Sequence, residues 1–211
     1  MAMRVLVTAG PTREYIDPVR FITNASSGRM GYAVAAAAAR AAHEVTLLTG
    51  PVAIEPPEAC RVVPFVTVAD LKQALDERFA ACDALIMAAA VGDFRPQARH
   101  PGKLRRSDGP LAVRLVPTDD VVAGVAGKKR DDQIVVVFAV EDGLPDEIEA
   151  KARAKMLAKK ADYVVANTPA AIGADESEAC ILSPVGAALP WASRSKERLA
   201  EEIVKLIARR R

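Results

Sequence analysis

The sequence predicts an α/β fold in which a mostly parallel, doubly wound sheet carries helices on both faces. Short β-branched runs alternate with longer amphipathic stretches along most of the chain, which is typical of repeated βα units. In addition, 51% of the 211 residues are hydrophobic, enough to fill one continuous core. We therefore expect one three-layer, Rossmann-like domain over residues 1–211.

Six runs predict buried strands, because each is short, rich in β-branched residues and followed by a turn or a helical pattern. In chain order they cover residues 4–8, 44–48, 61–66, 84–88, 134–138 and 163–166. Five longer segments predict helices, because each spans at least two turns and has an apolar stripe. These cover residues 31–42, 68–81, 119–126, 146–160 and 194–209.

Three segments depart from this alternation. Residues 10–27 form a long connection between the first strand and its helix, where an ordinary βα loop has about 2–6 residues. Residues 92–116 are rich in Pro, Gly and basic residues and end in the strand-like run 111–116, which predicts a protruding β flap. Residues 170–190 are turn-rich and only weakly β in pattern.

Composition and charge exclude several classes of protein. The 29 Lys and Arg residues nearly balance the 27 Asp and Glu residues, so no overall basic field would recruit nucleic acid or an anionic membrane. The three cysteines stand singly at positions 60, 82 and 180, which suits neither a disulfide framework nor a zinc knuckle. The apolar stretches at 5–9 and 33–42 are too short for a signal-peptide core or a membrane span. We therefore expect a cytoplasmic protein that binds neither membranes nor nucleic acid.

The first candidate site is the start of the first predicted helix. Gly28 and Gly31 lack a Cβ atom, so backbone amides here could approach a phosphate closely, and the helix dipole favours negative charge. Ser26 or Ser27 is a suitable N-cap for this helix. The alternative is that the glycines only allow the helix to pack tightly on the sheet. Neither the G-x-G-x-x-G pattern nor a P-loop is present.

The long connection before this helix carries further polar candidates. Arg13 and Arg20 suit an anion, although Arg13 and Asp17 could equally form a salt bridge that braces the loop. The side-chain amide of Asn24 suits a carbonyl or mixed-anhydride oxygen as well as it suits capping a turn.

The second candidate site follows the fourth predicted strand. The small residues Ala88, Ala89 and Ala90 would let a flat ring or a sugar lie against the backbone. Asp93 would hold a ribose hydroxyl or, more readily, a magnesium ion on phosphates. Further along, a basic cluster suits a triphosphate, although such a run is also typical of a solvated flap; it consists of Lys103, Arg105 and Arg106.

Other catalytic patterns are absent from the sequence. His43 and Glu44 are not followed by a second histidine at zinc-protease spacing, no tyrosine has a lysine four residues on, and no G-x-S-x-G elbow is present. Lysines recur at helical spacing in the fourth predicted helix, which indicates a solvated face, with a phosphate contact as the less common alternative; they are Lys151, Lys155, Lys159 and Lys160.

Five ordered motifs in this chain resemble one known family. They are Ala9-Gly-Pro-Thr-Arg13, Ile16-Asp-Pro-Val-Arg-Phe-Ile22, Asn24-x-Ser-Ser-Gly-Arg-Met-Gly31, Ala88-Ala-Ala-Val-x-Asp93-Phe-Arg-Pro96 and Lys103-Leu-Arg-Arg106. Together they are similar to phosphopantothenoylcysteine synthetase, the second half of the bifunctional coenzyme A biosynthesis flavoprotein. The likeness extends to about Asn167.

The resemblance implies a ligase reaction with Mg²⁺. CTP, or ATP in eukaryotic relatives, activates the carboxylate of 4′-phosphopantothenate and releases pyrophosphate, and the amine of L-cysteine then displaces CMP. It also implies a homodimer in which the flap of one subunit closes the site of the other. No flavin is expected, because the flavin-binding decarboxylase half has no counterpart here, and the decarboxylase should be a separate protein.

The resemblance also implies roles for individual residues. Asn24 would contact the acyl-nucleotide intermediate, Lys103 would assist attack at the α-phosphate, and Asp93 would line the nucleotide, in addition to the metal-binding role suggested above by its carboxylate. The remaining nucleotide contacts would be Gly10, Ser27, Gly28, Gly31, Ala88, Ala89, Ala90, Phe138, Lys155 and Lys159. The substrate contacts would be Arg20, Asn24, Ala25 and Arg105.

Two alternatives to this ligase stay open on the sequence. One is a paralogue that uses ATP or another carboxylic acid. The other is an NAD(P)- or nucleotide-binding regulatory protein of the same fold without turnover. Asn24 and Lys103 together favour the ligase, because a pure binding protein has no use for both an intermediate clamp and a flap lysine.

Overall fold

One eight-stranded sheet lies between two layers of helices in the computed structural model, which describes residues 1–106 and 109–209. The predicted doubly wound α/β fold is therefore confirmed. Its strands are β1 (Arg4–Ala9), β2 (Arg13–Tyr15), β3 (Phe21–Thr23), β4 (Glu44–Thr49), β5 (Cys60–Pro64), β6 (Ala84–Met87), β7 (Phe94–Pro96), β8 (Leu115–Pro117), β9 (Ile134–Val140), β10 (Tyr163–Asn167), β11 (Glu176–Ser183) and β12 (Gly186–Ser195). Its helices are α1 (Arg29–Arg40), α2 (Val68–Arg78), α3 (Val121–Ala126), α4 (Pro145–Ala158) and α5 (Lys196–Arg209).

The order of the strands creates a switch point beside β1. The main sheet runs β12-β11-β10-β9-β6-β1-β4-β5, and the six strands from β10 to β5 are parallel. From β1 the chain first builds β4 and β5 on one side, and then crosses to build β6, β9 and β10 on the other. Ligands of doubly wound sheets bind beyond the carboxyl ends of the strands at such a reversal, here between β1 and β6.

Alternating side chains of the central strands supply both layers of the core. On β1, Leu6 packs into the cluster with α2, α3 and α4, whereas Val5 and Val7 pack into the cluster with α1 and α5. All three side chains are at most 2% exposed. Burial on both faces explains why these strands read as continuous apolar runs.

Local sequence signals set the starts of the helices. Thr67 and Asp70 form a reciprocal capping box at the start of α2, and Pro145 with two acidic residues opens α4, which suits the N-terminal ends of helices. Within the described part of the chain, no helix combines the length and the hydrophobicity needed to cross a membrane.

The turn-rich segment 170–190 contains more strand than predicted. It includes all of β11, whose residues from Ala179 to Leu182 are completely buried, and the first half of β12. These two strands extend the parallel sheet as an antiparallel hairpin. The last helix was predicted from residue 194, but Arg194 still belongs to β12 and α5 begins at Lys196. The guanidinium of Arg194 donates to the carbonyl oxygens of Ala179, Ala192 and Pro190.

Two short hairpins account for the other irregular segments. The long connection 10–27 contains β2 and β3, and the flap is rooted in β7 and β8. The strand predicted over 111–116 is wrong for most of its length, because only Leu115 and Val116 fall in β8. Leu111 is 61% exposed and has no ladder partner within the described residues.

Candidate functional site

A cavity of about 550 Å³ opens beyond the carboxyl ends of β6, β9 and β10. Its walls come from the segment 24–30 that leads into α1, from residues 87–91 after β6, from the start of α3 and from one face of α4. This is the edge of the sheet where the strand order reverses. The two candidate sites of the sequence therefore share one cavity.

The start of α1 presents backbone amides that no side chain caps. Gly28 is the N-cap residue and adopts the left-handed conformation, with φ of 78°. A Cβ atom there would also lie 3.0 Å from Cγ1 of Val52, so glycine is required on two counts. Neither Ser26 nor Ser27 is the N-cap, which corrects the prediction; the hydroxyl of Ser26 instead accepts a hydrogen bond from the Gly28 amide at 3.3 Å. The amides of the first turn remain available to a negatively charged group.

Gly31 has a different role from Gly28, because it lies in the contact between α1 and β1. A Cβ atom at Gly31 would lie 2.5 Å from the Cβ of Ala9 and 2.8 Å from the carbonyl oxygen of Thr8. Gly31 does not line the cavity. Gly10 does not line it either; this residue is buried and has a φ of 77°. The tight-packing alternative thus describes the geometry at Gly31.

Hydrogen bonds join β1 and the loop after it to the segment after β6. The amide Nδ2 of Asn24 donates to the carbonyl oxygen of Val91 at 3.0 Å, and the amide of Ala89 donates to the hydroxyl of Thr8 at 3.0 Å. As a result, one continuous wall is formed by several predicted site residues, namely Asn24, Ala25, Ser27, Gly28, Ala88, Ala89, Ala90 and Asp93. Phe138, at the end of β9, lines the cavity as well.

Two lysines, one in α4 and one at its C-cap, line the cavity. Lys155 and Lys159 stand one turn apart and are half-buried, whereas Lys151 is exposed on the same helix. The ammonium of Lys159 lies 3.4 Å from the carboxylate of Asp120, which also caps α3 by accepting from the amides of Val122 and Ala123.

Lys155 is the less compensated of the two cations. Burial lowers the pKa of Lys155, and the charge of Lys159 lowers it further. Within residues 1–106 and 109–209, Lys155 has no ion pair. The charges of Glu141, Asp93 and Asp120 raise the pKa and so offset part of this effect. A half-buried ammonium on a cavity wall suits an anionic ligand, and the phosphate contact of this lysine stays a prediction.

The basic cluster of the flap does not line the cavity of its own chain. Lys103 and Arg105 are exposed and absent from the cavity wall. The residue between them is fixed to the loop 16–20: the amide of Leu104 donates to Asp17 at 3.1 Å, and its carbonyl oxygen accepts from Arg20 at 3.0 Å. The root of this cluster is therefore attached to the β2–β3 hairpin.

Asp17 braces the loop with a partner that the sequence did not predict. Its carboxylate pairs with Arg20 at 2.7 Å rather than with Arg13, whose guanidinium lies over the ring of Phe21. Burial alone would raise the pKa of Asp17, but amide donors from Val19, the neighbouring arginine and the flap, together with the arginine charge, lower it to about 2. Arg20 and Arg13 both lie outside the cavity wall.

The sequence missed several residues that line the cavity. Arg29, Asn167 and Lys196 are among them. Lys196 stands at the first position of α5, about thirty residues after β10 in the chain, and only the β11–β12 hairpin brings it to the cavity. Arg29 directly follows Gly28 and is the first residue of α1. Its position beside the predicted phosphate-binding helix start is the signal that could have identified it as a cavity residue.

The sheet and the cavity at its switch point define the class of this chain, a Rossmann-like α/β protein with its ligand cavity at the carboxyl ends of the strands. Within this class, the chain belongs to the family described as the C-terminal domain of the DNA/pantothenate metabolism flavoprotein, whose profile matches residues 1–210. The resemblance to the synthetase half of the coenzyme A biosynthesis flavoprotein is thereby confirmed.

Curated relatives and solved structures agree with this membership. The chain is 42% identical over 171 residues to the coenzyme A biosynthesis bifunctional protein CoaBC of Bacillus subtilis, covering 81% of this chain and 41% of that protein. It is 38% identical over 209 residues to a prokaryotic cysteine/cysteine sulfinic acid decarboxylase, covering 97% of this chain and 57% of that protein. The chain thus spans about half the length of these relatives.

Among solved structures, the chain is similar to the C-terminal domain of the coenzyme A biosynthesis bifunctional protein CoaBC. The TM-score is 0.81 at 33% identity, and the likeness covers 99% of this chain and 95% of that one.

Proposed function

We propose that this chain is a phosphopantothenate–cysteine ligase of coenzyme A biosynthesis. It activates the carboxylate of 4′-phosphopantothenate with CTP and then condenses the acyl-cytidylate with L-cysteine. The family supports the place in coenzyme A biosynthesis.

One observation carries the proposal. A single cavity combines uncapped amides at a helix start, a side-chain amide, a smooth alanine wall and two lysines. Amides and ammonium groups neutralise a polyphosphate, the alanines leave room for a nucleoside, and Asn24 adds a donor and an acceptor for an acyl group. This combination suits an enzyme that joins a carboxylate to a nucleoside triphosphate.

In the first step, a carboxylate oxygen of 4′-phosphopantothenate attacks the α-phosphorus of CTP. The bond from that phosphorus to the bridging oxygen breaks, and pyrophosphate leaves with the bonding electron pair. Two anions must meet for this attack, so the main task of the protein is to hold them together and to offset their charge. In this proposal the amides at Gly28, the ammonium groups of Lys155 and Lys159, and Lys103 from a flap perform that task.

The donor set fits a nucleotide-bound Mg²⁺ rather than a cage made entirely of protein. In the described part of the chain, no group of three or more His, Cys, Asp or Glu side chains could hold a metal ion. Asp93 is, however, an exposed carboxylate on the cavity wall, and Mg²⁺ on phosphates commonly takes only one or two carboxylates besides water. When bound, the ion would offset charge on the phosphates.

In the second step, the amine of cysteine attacks the acyl carbon of the mixed anhydride. The carbon–oxygen bond to CMP breaks, CMP leaves with the electron pair, and the new amide nitrogen loses a proton to water. In this proposal Asn24 holds the acyl-nucleotide. One N–H of its amide donates to the carbonyl oxygen of Val91, which fixes the side chain, and the amide has a second N–H donor and an acceptor oxygen for the acyl group. A held intermediate is protected from hydrolysis until cysteine arrives.

The proposal includes a homodimer in which each flap reaches the cavity of the other copy. Lys103 lies outside the cavity wall of its own chain. In addition, the two small hairpins carry exposed apolar side chains close to the flap, and exposed apolar patches favour association; they include Val19, Phe21, Phe94, Leu111 and Leu115.

The test is an assay of pyrophosphate release with 4′-phosphopantothenate and cysteine, comparing CTP with ATP. We expect release with CTP, none for Lys103→Ala, and a persisting pyrophosphate burst with slow amide formation for Asn24→Ala. Lys205→Ala, an exposed substitution on α5, serves as the matched control.

Three outcomes would contradict the proposal. Rates equal to wild type for both site variants would refute the residue roles. The absence of pyrophosphate with any nucleotide would favour a regulatory binding protein of the same fold. Release of CO₂ from cysteine without pyrophosphate would instead favour a reaction of the kind for which the 38% identical relative is named.

A further inference from the structure

Lys196 is a buried cation in an unfavourable position. It is only 6% exposed and occupies the first position of α5, where the helix dipole disfavours positive charge. Lysine is rarely buried without a partner. Burial and the charge of Arg29 both lower the pKa of Lys196. Some other interaction must therefore hold this side chain in place.

The partners of Lys196 all come from one short stretch of chain. Its ammonium donates to the carbonyl oxygens of Ala171 (3.1 Å) and Ala174 and lies 3.4 Å from the hydroxyl of Ser177. Its backbone amide also donates to the carbonyl oxygen of Asp175 at 3.2 Å. An ammonium has three N–H donors, and protein oxygens accept from all of them. Lys196 thus fixes the loop 171–177 (the connection before β11 together with the first two residues of that strand) and has no donor left for a ligand.

A second attachment holds the same loop. Arg29, the first residue of α1, pairs with the carboxylate of Asp175 and lies 3.5 Å from the carbonyl oxygen of Gly173. Between these two attachments, Ile172 and Gly173 form part of the cavity wall. The loop therefore connects the start of α5 to the helix start where the uncapped amides lie.

We propose that Lys196 is a positioning residue, which holds the loop 171–177 as the cavity wall next to the polyphosphate end of the nucleotide. This inference rests on the proposed function for the identity of the ligand. The attachment of Arg29 to the same loop ties the position of the wall to the position of the α1 amides. Loss of the ammonium would release three oxygens at once and let the wall move away from the nucleotide.

The experiment compares Lys196→Met, which keeps the length and removes the charge, with Lys205→Met on the exposed side of the same helix. For Lys196→Met we expect the KM for the nucleotide to rise about tenfold because its binding surface is displaced. The kcat at saturating nucleotide and the KM for cysteine should stay within about threefold of wild type, since the reacting groups themselves are unchanged. Lys205→Met should match wild type.

Hydrogen exchange followed by mass spectrometry measures directly how firmly the loop is held, through the exchange rates of its backbone amides. Amides of residues 171–177 should exchange about tenfold faster in Lys196→Met, because the loop loses its attachment. Asp175→Asn provides a second variant that leaves Lys196 in place. Asp175 is 87% exposed, so this variant is expected to fold, and its loop should also exchange faster.

The possible outcomes separate the two proposals. Unchanged exchange of the loop in Lys196→Met would overturn the positioning role, whether or not the protein turns over. A fall in kcat with an unchanged nucleotide KM would also overturn it, because Lys196 would then act in the chemistry. Wild-type protein without pyrophosphate release would end the proposed function, while the exchange measurement would still decide the role of Lys196.

Discussion

Replacing Gly31 by alanine tests whether the contact between α1 and β1 fixes the start of α1. The added methyl carbon would lie 2.5 Å from the Cβ of Ala9 and 2.8 Å from the carbonyl oxygen of Thr8. Carbon atoms prefer separations of about 3.5–4.0 Å, so α1 must shift by roughly 1 Å. Neither opposing atom can move away, because both are fixed to the backbone of β1.

The size of the effect follows from two opposing contributions. Alanine is favoured over glycine inside a helix by about 1 kcal/mol. Overpacking of a close contact costs about 1–3 kcal/mol, and the short distances place Gly31→Ala at the upper end. We expect a net destabilisation of about 2 kcal/mol, which lowers Tm by about 4–8 °C in a chain of this length.

Gly124→Ala is the matched control for Gly31→Ala. Gly124 also lies inside a helix, but a Cβ atom there meets nothing within 4 Å. Only the helix preference remains, so Tm should rise by about 2–4 °C. Thermal unfolding of both variants tests whether Tm falls in Gly31→Ala and rises in Gly124→Ala.

The nucleotide KM of Gly31→Ala then tests the link to the site. A displaced helix start should raise that KM, because the α1 amides move with the helix. A Tm that rises in both variants would refute the packing argument. A lowered Tm with an unchanged nucleotide KM would show that the α1 amides do not bind phosphate.

Three further predictions address other parts of the molecule. Lys155→Met should raise the nucleotide KM about tenfold by removing a half-buried charge, whereas Lys151→Met, at an exposed position, should leave that KM unchanged. Steady-state kinetics of both variants check this, and an equal nucleotide KM in the two variants would contradict it. The pKa of Asp17 is lower than its ordinary 3.8, so its ionised form favours the folded state. The stability difference between wild type and Asp17→Asn should therefore be constant above about pH 5 and narrow progressively as the pH falls through 3.8 to about 2. Urea unfolding at a series of pH values measures this, and a difference that does not vary with pH would refute it. Phe94→Glu should shift the proposed dimer toward monomer in sedimentation experiments and should reduce pyrophosphate release to the same extent. A dimer that is unaltered by this substitution would show that the face around Phe94 is not the dimer interface.

The sequence could predict the parallel part of the sheet because the responsible signals are local. Strands buried on both faces read as apolar runs regardless of their partners, and the runs at 4–8 and 134–138 lie inside β1 and β9. The start of α1 was predicted only approximately, because the helix was expected from residue 31 with Ser26 or Ser27 as the N-cap, whereas Gly28 is the N-cap and α1 begins at Arg29. The cavity follows from the general rule for the carboxyl ends of such strands.

The remaining features depend on contacts between distant parts of the chain. Residues 170–190 contain Pro184, Gly186 and Pro190, and these turn formers obscured an apolar run that pairs with β10. Arg13 and Asp17 have a suitable spacing for a salt bridge, but the β2–β3 register places Arg13 opposite Thr23, away from the turn that holds Asp17. No local pattern could have shown that Lys196 reaches a loop about twenty residues earlier in the chain.

The way Arg194 folds back on its own hairpin has a consequence for aggregation. β12 is the outermost strand of the sheet, and an open strand edge is a template for pairing with other chains. Here Pro190 lacks an amide hydrogen, and Arg194 occupies the carbonyl oxygens of Pro190 and Ala192. The exposed border of the sheet therefore offers fewer free hydrogen-bonding groups to a foreign strand, which makes fibril-like pairing along this side less favourable.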